Sequence, residues 1–195
     1  GGGQHNFVNA TGATVGGGVA NVANGTWSAI GGGRYNLVVA FAPFSTISGG
    51  ESNTVAGQWS HVSGGHSNSV RGDHASVSGG HLNRVDDDYG SIGGGGANSV
   101  QKPLGTIAGG YKNVVSGYSG TVSGGESNHA SVRSAVGGGQ HNRAFGYYGS
   151  IGGGSSNTAY GDYAVVAGGQ LNAVYGQLAT VAGGDRNTVF SNSSS

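Results

Sequence analysis

The chain contains no cysteine, no methionine and only two prolines. Without thiols, no disulfide or zinc–thiolate centre can hold the fold, so stability has to come from packing and backbone hydrogen bonds. Charge is scarce as well: eight basic and eight acidic residues cancel to zero, which leaves no electrostatic footprint for nucleic acid. No stretch approaches the ~20 consecutive apolar residues that a membrane helix needs, so a soluble segment without membrane insertion is expected. An initiator Met, a signal peptide and a tag are all missing, and the chain opens in mid-pattern on Gly1-Gly2-Gly3. It therefore reads as a segment of a longer protein. What is abundant is glycine, 45 of 195 residues, beside 35% apolar residues. That much glycine suits a disordered linker unless the apolar residues are regularly placed, and here they are.

Their regularity is a repeat. Asn recurs at 6, 21, 36, 53, 68, 83, 98, 113, 128, 142, 157, 172 and 187, a step of fifteen except for one two longer (Asn36 to Asn53) and one shorter by one (Asn128 to Asn142). The longer step carries Phe41-Ala42-Pro43-Phe44. Two residues after each Asn stands Val or Ala, as in Val55, Val70 and Ala144, and the second half of each unit holds a Val or Ile, as in Val62, Val77 and Ile92, followed after one residue by Gly-Gly. Fixed and variable positions alternate within each half, which is the period of a strand with two unlike faces. Two short strands per unit follow, with glycines supplying the positive φ of the corners. The expected fold is an all-β parallel β-solenoid, or β-roll, of about thirteen coils forming one domain over 1–195, with a polar tail at 188–195. Stacked coils would place Val on Val inside and Asn on Asn in a ladder, and at roughly 4.8 Å per coil the stack would extend about 60 Å. So narrow a coil buries few apolar atoms, which makes oligomerisation an expected further source of burial.

Function then has to reside on outward positions. Three residues before the second-strand Val or Ile, a corner row carries Trp27, Phe44, Trp59, His74, Tyr89, Tyr148 and Tyr163 together with Gly12, Leu104, Ser119, Arg133 and Leu178, and Trp27, Trp59, Tyr89, Tyr148 and Tyr163 are candidates for an oligomer interface. On the first strand, Phe145, Tyr160, Tyr175 and Phe190 fall one above another and, with Arg71 and Arg84, are the candidate binding residues. Contiguous exposed apolar patches are uncommon on monomers, so contact with sister chains, a glycan or another surface is expected of these rows. The second strand sets small residues beside its buried Val or Ile: Thr14, Thr46, Ser76, Ser91, Thr106, Thr121, Ser150 and Thr180, interrupted by His61 and Val165. A flat array of this kind suits either the close approach of another subunit or an ordered layer of water at ice.

Other chemistry finds little support. Glu51, His66 and His81 fall at equivalent places on successive coils, but corner residues of a solvated solenoid are commonly just polar, and no metal or cofactor is expected. The triple glycines lack the Gly-x-x-x-x-Gly-Lys-Ser/Thr pattern and a following helix, which removes nucleotide binding. No nucleophile, base and acid stand out from the repeat, so no catalytic residue is expected and the chain reads as non-enzymatic. Acceptor-like triplets begin at Asn9, Asn24 and Asn192, as chance allows in so Asn- and Ser-rich a sequence.

Runs such as Tyr148-Gly149-Ser150-Ile151-Gly152-Gly153-Gly154-Ser155-Ser156-Asn157-Thr158-Ala159-Tyr160-Gly161 resemble the head repeats of trimeric autotransporter adhesins and related phage tail-fibre proteins. The resemblance implies a left-handed parallel β-roll, a homotrimer, and display outside the cell or on a virion appendage, where it binds host, matrix or glycan surfaces by multivalent contact. Many such heads put Ala where this chain buries Val, with larger residues in the alternate phase. In that inversion the chain is similar to the ice-binding β-rolls of grasses, whose half-repeat Glu51-Ser52-Asn53-Thr54-Val55-Ala56-Gly57 matches. That second resemblance implies an ice-binding (antifreeze) solenoid using the flat Thr/Ser face.

Overall fold

Val55 and Val62 show what a coil does with its two apolar residues. Each is the inner residue of a two-residue strand, Thr54–Val55 and His61–Val62, and each is fully buried while its strand neighbour faces outward. Repeated along the chain, this makes an all-β parallel β-solenoid of about twelve to thirteen coils set about fifteen residues apart, with two short strands per coil. The structure is a computed structural model describing residues 2–190, and no helix occurs among them. Of the expected polar tail, residues 191–195 lie outside the described residues, as does the triplet at Asn192.

The chain divides into two units, Gly1–Ser99 and Val100–Ser195. In the first, Phe7–Val8, Val22–Ala23, Leu37–Val38, Thr54–Val55, Ser69–Val70 and Arg84–Val85 pair in parallel as one sheet. Thr14–Val15, Ala29–Ile30, Thr46–Ile47, His61–Val62, Ser76–Val77 and Ser91–Ile92 form the facing one. In the second unit the first sheet runs from Val114–Val115 to Thr188–Val189 and the facing one from Thr106–Ile107 to Thr180–Val181. The pairing aligns equivalent residues, Val77 with Ile92 and Ser76 with Ser91, so every inward position meets its own kind. Burying one such Val or Ile contributes about 1.5 to 3 kcal/mol. Away from the end coils the inward residues are covered within a single chain: Val38, Ile47, Val62, Val77, Ile107 and Val122 have no solvent exposure. Burial from a partner is thus not required to cover the core.

Polar groups inside are tied coil to coil. Asn68 donates its backbone N–H to Asn53 Oδ1 at 3.0 Å, and its side-chain Nδ2 to Gly64 O and Gly80 O, both at 3.0 Å. The second unit repeats the device at Asn142, which bonds Asn128 Oδ1, Gly138 O and Gly154 O. At the opposite corner Ser60 Oγ donates to Gly72 O at 2.8 Å and accepts the N–H of Ala75 at 3.0 Å. Buried polar atoms satisfied in this way cost little, and left unsatisfied they would oppose folding.

Glycine supplies only part of the corner geometry expected of it. Among the described residues, twenty-four that are not glycine have φ between 51° and 59°, two in each coil away from the ends, including Trp59, His74 and Tyr89 in the corner row and Ser52, Ser67 and Leu82 immediately before the ladder Asn. Left-handed backbone costs a residue with a Cβ about 1 to 2 kcal/mol. It is held because it points the N–H at the coil before: Trp59 to Pro43 O at 3.0 Å, His74 to Gln58 O and Ser67 to Glu51 O, both at 2.9 Å. The side chain meanwhile points outward, and Trp59 and Tyr89 are more than half exposed. Glycine is kept where a Cβ has nowhere to go. At Gly50, with φ of 88°, it would fall 2.2 Å from Gly65 O.

The irregular steps are absorbed locally. The two extra residues before Asn53 push Phe41 out to 89% exposure while Ala42 stays fully buried. Ser28, on the coil before, is left with a buried Oγ that has no hydrogen-bond partner. At the shortened step Arg133 Nη1 donates to Tyr147 Oη at 2.5 Å and to Tyr148 Oη at 2.9 Å.

Candidate functional site

Second-strand residues that point outward make a face of small side chains in each unit. In the first, Thr14 and Thr46 are exposed and Ser76 and Ser91 half-buried, with Ser76 Oγ donating to Ser91 Oγ at 3.2 Å. In the second, Thr106, Thr121 and Thr180 are exposed and Ser150 half-buried. Ala29, Ala135 and Val165 take the same row, and His61, paired with Thr46 and Ser76, is its large exception. The companion row two residues on is small throughout: Gly16, Gly31, Ser48, Ser63, Ser78 and Gly93 in the first unit, and Ala108, Ser123, Gly137, Gly152, Ala167 and Ala182 in the second, all exposed. The signal for the whole row was available, since each directly follows the buried Val or Ile.

The aromatic rows are stacks. In the first unit Phe44 and Trp59 lie with ring centroids 4.1 Å apart and nearly parallel, Trp59 and His74 6.4 Å apart, and His74 and Tyr89 5.1 Å apart. In the second, Phe145, Tyr160, Tyr175 and Phe190 follow one another at 5.5, 4.8 and 5.0 Å, and Tyr148 stacks on Tyr163 at 5.1 Å. Ring faces are thereby turned to one another along the coils. Stacking of this kind stabilises each pair by about 0.5 to 1.5 kcal/mol. Trp27 is different: a Cβ at Gly12 would fall 2.2 Å from its Cε3, so its ring covers that glycine.

Arg71 and Arg84, two of the candidate binding residues, both bond Asp86 Oδ1, at 2.8 and 2.6 Å, while staying about half exposed. Glu51 is engaged by Arg34 Nη2 at 2.8 Å, and His66 by Ser67 Oγ at 3.3 Å. No group of three His, Cys, Asp or Glu able to hold a metal occurs among the described residues. Asn9 is exposed and Asn24 half-buried on successive coils.

One polar pair was not legible from the repeat. His129 Nε2 lies 2.5 Å from Ser116 Oγ, thirteen residues away rather than fifteen, because the imidazole reaches diagonally to the coil before. Burial, and second the charge of Arg143, hold this imidazole below its ordinary value of 6.5. Compared with known protein families and curated proteins, the chain matches no family model and has no significant curated relative.

Proposed function

We propose that this chain is a non-enzymatic extracellular adhesive or fibre-type head, assembled as a homotrimer and acting through multivalent contacts with a surface. The observation that carries the reading is the division of the outer surface. Both outward rows of the second strand are small in nearly every coil, whereas the first strand and the corner row project rings and charges such as Arg71, Arg84, Tyr160 and Trp59. A run of small side chains on successive coils of each unit serves the close approach of a counter-surface, and a sister chain is a counter-surface of the right repeat. Projecting rows left outside would then make several weak contacts at once, each multiplied by the three copies. Display outside the cell or on a virion appendage accords with this role.

The exposed hydroxyls of Thr14, Thr46, Thr106, Thr121 and Thr180 favour a second reading, a monomeric ice-binding solenoid whose flat face stays in water. The native mass by light scattering separates the two. A trimer is expected, weakened by Thr106→Tyr or Thr121→Tyr, which project a ring from the exposed small-residue face. A monodisperse monomer would reject the trimeric head and favour the ice-binding reading.

A further inference from the structure

The Ser116–His129 pair has the parts of an activated nucleophile. Both residues are half-buried on the outer face of the first sheet of the second unit. Phe145 sets its ring edge-on to the imidazole, centroids 5.0 Å apart at 74°, which fixes the ring's orientation. Arg143, the strand-register partner of His129 on the following coil, is its charged neighbour. An imidazole held neutral at neutral pH accepts the Ser116 hydroxyl proton at Nε2, with its own proton on Nδ1, a tautomer assigned from this contact.

We propose that Ser116 is an acyl-acceptor site, with His129 as its general base, selective for activated esters whose acyl part is anionic. Arg143 attracts the anionic group. In the step, Ser116 Oγ bonds the carbonyl carbon as its proton passes to His129 Nε2, and the leaving phenol departs with the electron pair of the broken C–O bond, ending as phenolate or reclaiming that proton. The product is a serine ester. The backbone N–H of Ser116 donates to Ala130 O at 3.0 Å, so it is not free to hold an oxyanion, and stoichiometric acylation is expected in place of turnover. The site stands on the first-strand face and is independent of the reading of the flat face.

Ser131 is an internal control. It occupies the same outward row one coil on and is equally half-buried, but the diagonal place taken by His129 before Ser116 is taken there by Arg143. The full chain would be incubated with the 4-nitrophenyl monoester of glutaric acid from pH 5 to 8 and the labelled serine located by peptide mass spectrometry. Ser116 should be labelled at least about tenfold faster than Ser131, since a positioned base contributes roughly 10² to 10⁴. The rate should rise with pH through a midpoint below 6.5. Arg143→Ala should move that midpoint upward and remove the preference over neutral 4-nitrophenyl acetate, and His129→Gln should bring Ser116 down to the rate of Ser131. Equal labelling of the two serines in the unmodified chain, or a rate flat with pH, overturns the proposal, and an unchanged ester preference in Arg143→Ala overturns its anionic selectivity.

Discussion

Asn53 Oδ1 accepts the backbone N–H of Asn68 at 3.0 Å, so each coil lends an acceptor to the turn of the next. The bond recurs from Asn68 to Asn83 and from Asn83 to Asn98 at 3.0 and 3.1 Å. Replacing one member therefore removes its own two side-chain donations and strips the following coil of an acceptor. Asn68→Ala should destabilise the fold by roughly 1 to 3 kcal/mol, and Val77→Ala, which empties a fully buried site, by a similar roughly 1 to 3 kcal/mol. Chemical denaturation measures both. Unchanged midpoints would mean that neither residue points inward.

The serine corner predicts opposite signs for one substitution. Ser60→Ala loses the bond to Gly72 O and leaves the Ala75 N–H without its acceptor, which should cost about 1 to 3 kcal/mol. Ser28→Ala removes a buried hydroxyl that has no partner, and should be neutral or stabilising by up to about 1 kcal/mol. Equal losses in thermal unfolding would contradict the assignment.

Neighbouring glycines should also differ. A Cβ at Gly49 meets nothing within 4 Å, whereas one at Gly50 would collide with Gly65 O at 2.2 Å on a backbone with φ of 88°. Gly49→Ala should leave the denaturation midpoint nearly unchanged, and Gly50→Ala should lower it clearly or prevent folding.

For the flat face, a ring projecting from a row of small residues is the sharpest perturbation. If the second functional reading holds, Thr106→Tyr or Thr121→Tyr should abolish thermal hysteresis, because both side chains are exposed on that face. If the trimeric head holds, the unmodified chain should show no appreciable hysteresis, and the same substitutions should shift its native mass toward the monomer. Faceted ice crystals at micromolar unmodified protein would count against the head.

Much of the architecture is legible in the sequence because a solenoid repeats its geometry together with its residues. Asn68, Val70 and Val77 recur at fixed spacing, and parallel stacking brings each beside its own kind, so alternation alone orients them. The outward rows are legible for the same reason, down to the vertical series of Phe145, Tyr160, Tyr175 and Phe190. Interactions between unlike residues on different coils are not encoded in that period. Ser116 and His129 meet on a diagonal, Arg71 and Arg84 converge on Asp86 from two coils, and Ser28 loses its partner because of residues inserted a coil later. Nor does composition say that Trp59 and Tyr89, rather than glycine, turn the corner. That depends on where each N–H must point and on whether a Cβ there finds solvent or the next coil, and only the stacked backbone decides it.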